Sequence, residues 1–447
     1  MNNLLPCICI VCCLCLIPGC NRGVIAQANQ APEIHTEFDL DNGLKVMLMP
    51  LPSATKNTLV VLYDVGNRND PAGKSGIAHM SEHLYVTAAT ENTRSRNVQQ
   101  YMADYPDGWN AQTGDDYTVI ATVFAADRIE DEISDAADRM RKLKIEQSDF
   151  DREIPRIDIE LQNMYQGFPP LAVSNHGRHY TDPLPNDGRR GGKIDELTTV
   201  TVAEIQDWLD QYYKPGNATL ILAGAFDEDA TRKLIEEKFG DIDRGNQLAA
   251  VSAVTPSEKR IHQVELKAVS AEPKTRVGFT FQAPGPDDPL YAAFLVHTTR
   301  MQMSAMNKAR GTKPQGMPDI PYMFRPLDDP GFFYVSSNVN EGESSDEALK
   351  RLETMLHDDL GTALKKHHVI STSSQMAMFL GTRQIPAKMM AMNTYGNAFA
   401  LGRRHQMGID SNKLAQQFED LTDDQMKQAH EKFFGESNRI TVTGTPK

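Results

Sequence analysis

The chain has 447 residues, 40% of them apolar and 24% charged, and a formal net charge of −14. This is the composition of a globular protein long enough for two or more domains. No basic stripe dominates, which argues against a nucleic-acid partner. No cysteine follows Cys20, so the body of the chain has neither disulfides nor a thiol nucleophile, and any metal site in it must use His and carboxylates.

The first twenty residues stand apart. Leu4 to Ile17 is an apolar run of signal-peptide length, too short for a comfortable membrane span. It ends in Leu16-Ile17-Pro18-Gly19-Cys20, which resembles a bacterial lipoprotein signal with Cys20 as the acylated residue. The expectation is an exported protein, anchored by lipid only and facing the periplasm of a bacterial cell envelope. Residues 21–35 are polar and read as a tether. Leu44–Met49 and Thr58–Asp64 are strand candidates, rich in β-branched and aliphatic residues. Gly66 to Gly73 reads as a loop.

A helix over roughly residues 75–89 follows, and it carries Gly76-Ile-Ala-His79-Met-Ser-Glu82-His83-Leu84. Residues four apart share a helix face, so His79 and His83 point two imidazoles at one spot, at a spacing that zinc accepts. Glu82, at the edge of that face, is free to take a proton from a water held there. The order His-x-x-Glu-His is the inverted zinc-peptidase motif. Such a site needs a third protein ligand from elsewhere in the fold.

Residues 95–105 read as a helix, Asp107–Gly114 as a polar turn and Tyr117–Phe124 as a strong strand. Asp127–Leu143 is an amphipathic helix. Ser148 is positioned to cap the next helix, Asp149–Tyr165. That helix holds Glu153 and Glu160, seven residues apart and on nearly one face, and either could reach the metal if it packs against the motif helix.

This set of residues resembles the pitrilysin/insulinase family of zinc metallopeptidases, most of all the branch with mitochondrial processing peptidase and its bacterial relatives. The matching features are Gly76-x-Ala-His79-x-x-Glu82-His83, Asn110-Ala111-x-Thr113 before a strand, Glu153 with Glu160, and Tyr212-Tyr213-x-Pro215-x-Asn217-Ala218 before an apolar strand ending at Gly224. The resemblance implies zinc bound by His79, His83 and Glu160, with Glu82 as general base. It further implies that Glu153 supports the site and that Asn110 and Ala111 hold the substrate backbone. Strand addition then predicts an extended peptide beside Tyr117–Phe124, with Asn110 and Ala111 contacting its backbone.

Residues 246–258 are Ala/Ser-rich and read as a linker. Beyond them the first pattern returns at an offset near 218 residues: Thr275–Phe281, Gly285, Asp288-Pro289 and an apolar helix. There His297 matches His79, but Arg300 and Met301 stand where Glu82 and His83 would be, so this copy is expected to hold no metal. The resemblance also implies an Arg, and a Tyr seven residues later, completing the site from this region. Arg310 fits the Arg, whereas Met317 stands in the Tyr position.

The expected fold is therefore α+β, with two homologous α/β-sandwich domains that form half of a clamshell. The expected boundaries are a signal at 1–20, a tether at 21–35, a zinc-binding domain at 36–245, a linker at 246–258 and a metal-free domain at 259–447. The expected activity is zinc-dependent cleavage of extended peptides or unfolded segments, by a dimer with itself or with a homologous subunit. The alternative is an impaired subunit or peptide-binding lipoprotein that works only with such a partner.

Overall fold

The apolar runs of the sequence become the centres of two sheets. A computed structural model of the chain describes residues 35–166, 191–246, 248, 259–266, 274–310, 322–324, 332–363 and 391–446. All of them belong to one compact unit, Glu33–Lys447. Its first half contains β1 (Thr36–Asp39), β2 (Lys45–Pro50), β3 (Asn57–Tyr63), α1 (Ile77–Thr87), α2 (Val98–Asp104), β4 (Trp109–Thr113), β5 (Thr118–Phe124), α3 (Ile129–Arg141), α4 (Gln147–Gln166), α5 (Ile194–Leu197), α6 (Val202–Tyr212), β6 (Ala218–Gly224) and α7 (Glu228–Phe239). The second half adds β7 (Ile261–Leu266), β8 (Arg276–Gln282), α8 (Tyr291–Arg310), β9 (Tyr322–Phe324), β10 (Phe332–Asn338), α9 (Ser345–Ala363), α10 (Thr394–Gln406), α11 (Ser411–Glu419), α12 (Asp423–Phe433) and β11 (Arg439–Pro446).

The first sheet has the order β1-β2-β6-β3-β5-β4, the second β7-β11-β8-β10-β9. In each, one pair is parallel, β2 with β6 and β7 with β11, and the remaining pairs are antiparallel. The architecture is α+β. Without β1, the two sheets have the same strand order and the same directions. Smaller details recur as well. The Asn217 side chain donates to the Tyr212 and Asp64 carbonyls at 2.9 and 3.3 Å. Asn438, before β11, donates to the Phe433 and Gln282 carbonyls at 2.8 and 2.9 Å. The preceding helices both open with a capping box, Thr201 with Glu204 and Thr422 with Gln425, which satisfies backbone N–H groups that the helix itself leaves unpaired.

The strands β3 and β6 are buried along their whole length, and the period-two alternation divides their side chains between two cores. Leu59, Val61, Leu220 and Leu222 face a large core with α1, α3, α4, α6 and α7. Val60, Leu62, Ile221 and Ala223 face a smaller one, closed by Ala398 and Leu401 of α10. A sheet covered on both faces explains why these strands read as unbroken apolar runs. Each fully buried aliphatic side chain there contributes about 1.5–3 kcal/mol. The second sheet buries Phe279, Phe281, Phe333 and Val335 against α8, α9 and α12.

Ser148 does not cap α4. The helix starts one residue earlier, and Asp149 reaches back from its first turn, with Oδ2 accepting the Glu146 N–H at 3.1 Å. A carboxylate in that position satisfies a free donor and also suits the positive end of the helix dipole.

Candidate metal centre

The site begins with how α1 is started. Asp70, buried in the loop before it, accepts the Gly76 N–H at 2.6 Å and the Ala78 N–H at 3.0 Å. It thus serves as a cap from outside the helix. Gly76 is left-handed at φ +102°, and a Cβ on Gly192 would lie 2.3 Å from the Gly76 Cα. Only glycine permits this backbone-to-backbone approach. It brings the Gly191 carbonyl within 3.1 Å of His79 Nδ1.

All eleven residues of α1 are buried. His79 and His83 come from successive turns, with ring centroids 4.8 Å apart and planes at 89°. His83 Nδ1 lies 3.1 Å from Glu153 Oε2. With each Nδ1–H spent on an oxygen, both imidazoles present Nε2, and the two Nε2 atoms converge on Glu160 of α4. Glu160 Oε1 is 3.7 Å from His79 Nε2, and Oε2 is 3.4 Å from His83 Nε2. One donor atom from each of the three residues lies within 4.8 Å of the others. Among the described residues this is the single group of its kind. Two imidazoles with fixed tautomers and one carboxylate form the donor set that a zinc ion takes when three ligands come from protein, so the residues present fit that ion.

Glu82 faces elsewhere. Its Oε2 accepts the Thr113 hydroxyl at 2.7 Å, and Oε1 makes no hydrogen bond among the described residues. Glu153 is fully buried and also paired with Arg156 and Arg152.

The electrostatics follow from this packing. Burial alone would lower the pKa of His83, but the Glu153 and Glu160 carboxylates outweigh it and push the imidazole up to about 9. His79 is raised in the same way against its burial, chiefly by Glu160. Burial works on Glu160 in the opposite direction, yet the two imidazoles hold it well below the usual carboxylate range. Glu82 is raised, because burial outweighs the neighbouring imidazoles.

The geometry corrects the expected substrate contact. Trp109–Thr113, read as a turn, is the edge strand β4, and it pairs with β5 in register Asn110 to Ala121 and Ala111 to Ile120. The strand Thr118–Phe124 lies between β3 and β4 and has no free edge for a peptide. Among the described residues the unpaired edge next to it is that of β4, where Asn110 and Ala111 are half-buried. The Asn110 side chain donates to the Tyr395 hydroxyl at 2.6 Å. Arg310 is the last residue of α8. Its side chain, Met317 and Cys20 lie outside the described residues. In the second half His297 is buried and its Nε2 lies 2.8 Å from the Met426 carbonyl. Burial pushes its pKa down to about 4.

Sequence reasoning gave no role to Thr113, Asp70, Gly191 or Tyr395. The Gly191-Gly192 pair was a visible signal of close backbone approach, and Thr113 stood in the motif Asn110-Ala111-x-Thr113 without its contact to Glu82 being readable there; Asp70 and Tyr395 carried no signal of their contacts.

Comparison with known proteins gives these contacts a family. A sequence model described as insulinase, peptidase family M16, matches residues 45–176, and one described as the peptidase M16 inactive domain matches residues 199–359. A zinc protease of Helicobacter pylori, PqqE, is 27% identical over 215 residues, which is 46% of this chain and 46% of that protein. The beta subunit of the mitochondrial-processing peptidase of Saccharomyces cerevisiae is 25% identical over 219 residues, 48% of this chain and 46% of that one. The match thus spans about half the length of these curated relatives. The crystal structure of a protease from Helicobacter pylori superposes with a TM-score of 0.74 at 19% identity, covering 92% of this chain and 99% of that one. With two models of one family matched in succession, and with zinc proteases among its relatives, the chain belongs to the insulinase family of peptidases, M16.

Proposed function

We propose that the chain is a zinc-dependent endopeptidase for extended peptides or unfolded segments. The observation that carries this reading is the convergence of His79 Nε2, His83 Nε2 and Glu160 while Glu82 is held aside by Thr113. His79, His83 and Glu160 would hold the ion. When bound, it supplies Lewis acidity, bringing the pKa of a water towards about 7 and polarising a carbonyl.

The protein's own groups do the rest. Thr113 pins one oxygen of Glu82, which leaves Oε1 to accept a proton from the attacking water and later deliver it to the departing amine. Burial makes Glu82 more basic than a solvated carboxylate, which suits that shuttle. Glu153 orients His83, and the Gly191 carbonyl orients His79. The substrate adds to the open edge of β4 as an extended strand, with Asn110 and Ala111 contacting its backbone. Arg310 is the proposed donor to the oxyanion. In this reading the catalytic domain is 36–245, the linker 246–258 and the metal-free domain 259–447. The chain acts as half of a clamshell, dimerised with itself or with a homologous subunit, and is exported and lipid-anchored through Cys20.

A second reading, an impaired subunit that needs a homologous partner for turnover, is favoured by Met317 in the position that the resemblance gives to a Tyr. Zinc analysis with a quenched-peptide assay separates the two. We expect one zinc per chain and chelator-sensitive hydrolysis, and Glu82→Gln should keep the zinc while losing at least about 10²-fold in kcat. Undiminished cleavage by that variant refutes the assignment.

A further inference from the structure

We infer that Tyr395 is a positioning residue for substrate: its hydroxyl fixes the Asn110 side chain so that Oδ1 faces a peptide laid along the edge of β4. The inference rests on the reading of Asn110 as a substrate contact and adds a residue 285 positions away in sequence.

The Asn110 Nδ2 donates to the Tyr395 hydroxyl at 2.6 Å. A side-chain amide has one donor end and one acceptor end. With the donor end committed, Oδ1 is the acceptor left for a backbone N–H, and it makes no hydrogen bond among the described residues. Without that partner the amide can rotate, and part of the binding free energy goes into ordering it.

Tyr395 is itself held on both sides. Thr394 beside it is buried, with Oγ1 2.6 Å from Thr58 Oγ1 of the central strand β3. The Tyr395 ring stacks on Phe399 at 6.2 Å and 23°, and Phe399 packs on Tyr117 at 5.7 Å. Further along α10, the fully buried Arg403 donates to Asp116 at 2.8 Å and lies over the Tyr117 ring at 4.2 Å. Helix α10 therefore grips the β4–β5 hairpin at the strand, through Asn110, and again at the turn, through Asp116. A helix from the second half of the chain thus sets the edge on which the substrate would lie.

The test is binding without turnover, using zinc-loaded Glu82→Gln protein and fluorescein-labelled carboxymethylated casein, an unfolded chain. Adding Tyr395→Phe, which removes only the hydroxyl, should weaken binding about 3- to 10-fold, with zinc content and melting temperature unchanged. Adding it to Asn110→Ala should change nothing more. Equal binding with and without the hydroxyl overturns the inference. So does the same loss whether or not the Asn110 amide is present, because that marks a general structural role. If the Glu82→Gln protein binds no casein at all, the peptidase reading fails, and Tyr395 loses its role with it.

Discussion

Helix α1 follows β3 and helix α8 follows β8, in two sheets of the same strand order. Both helices are apolar and buried near their starts, and both present a buried histidine, His79 and His297. In α1 the backbone carbonyl of Gly191 takes the Nδ1 side of the ring, and Nε2 is left for a ligand. In α8 the Met426 carbonyl takes Nε2. The frame is the same, and one hydrogen bond decides which nitrogen remains. A metal site on this frame needs more than a histidine. It needs the next turn to supply a second imidazole, a facing helix to supply a carboxylate, and acceptors that select the tautomer.

The outer partner of His83 is the first place to break the comparison. Glu153 is fully buried, with its charge shared among His83, Arg152 and Arg156. Glu153→Gln keeps the shape and removes the charge that fixes the His83 tautomer. Zinc affinity should fall about 10- to 100-fold, measured by competition with a chelator of known affinity. Unchanged affinity would reduce Glu153 to a structural partner of the arginines.

The two sets of histidines should also titrate in opposite senses. In the metal-free protein His83 is raised to about 9, against about 6.5 in an unfolded chain. The folded state then holds the proton more tightly, so the stability from this group is fully present below about pH 6.5 and is lost as pH rises through about 9. His297 is lowered to about 4. Its contribution is present above about pH 6.5 and is lost as pH falls towards 4. Melting temperatures across pH should therefore decline on both sides for the chelated protein. In the proposed site zinc would replace the proton on His83, so zinc loading should flatten the alkaline side and leave the acidic side in place. A zinc-induced shift in melting temperature that does not grow between pH 6.5 and 9 would contradict this.

Much of this comparison was legible in the sequence. The spacing of His79, Glu82 and His83 is a property of one helix, and the strands β3, β5 and β6 announce themselves because both of their faces are buried. The repeat was legible for the same reason, through β8 and α8. β4 was not. Its residues Trp109 to Gln112 are only half-buried, so an edge strand reads like a turn. Thr113, Tyr395 and the Gly191 carbonyl act on partners that are 31, 285 and 112 residues away, and no local pattern records such a pairing. That α10 covers the first sheet is likewise a fact of packing.

The smallest expected effect sharpens the comparison most. Arg300→Glu with Met301→His restores the His-x-x-Glu-His spacing to α8 by sequence alone. If spacing were sufficient, the chain should bind a second zinc. The structure argues otherwise. The His297 Nε2 is spent on the Met426 carbonyl, and turning that nitrogen to a metal would give up the hydrogen bond, a cost of about 0.5–1.5 kcal/mol. Met301 is fully buried within an apolar cluster, so an imidazole there enters without a partner and its desolvation opposes any gain from the metal. Among the described residues no carboxylate joins His297 in a ligand group as Glu160 joins His79. The zinc content of the double variant should therefore stay at one per chain, with a melting temperature lower by several degrees. A stoichiometry of two would mean that the second frame lacked only its ligand residues, and that the acceptors around the imidazoles matter less than the first site implies.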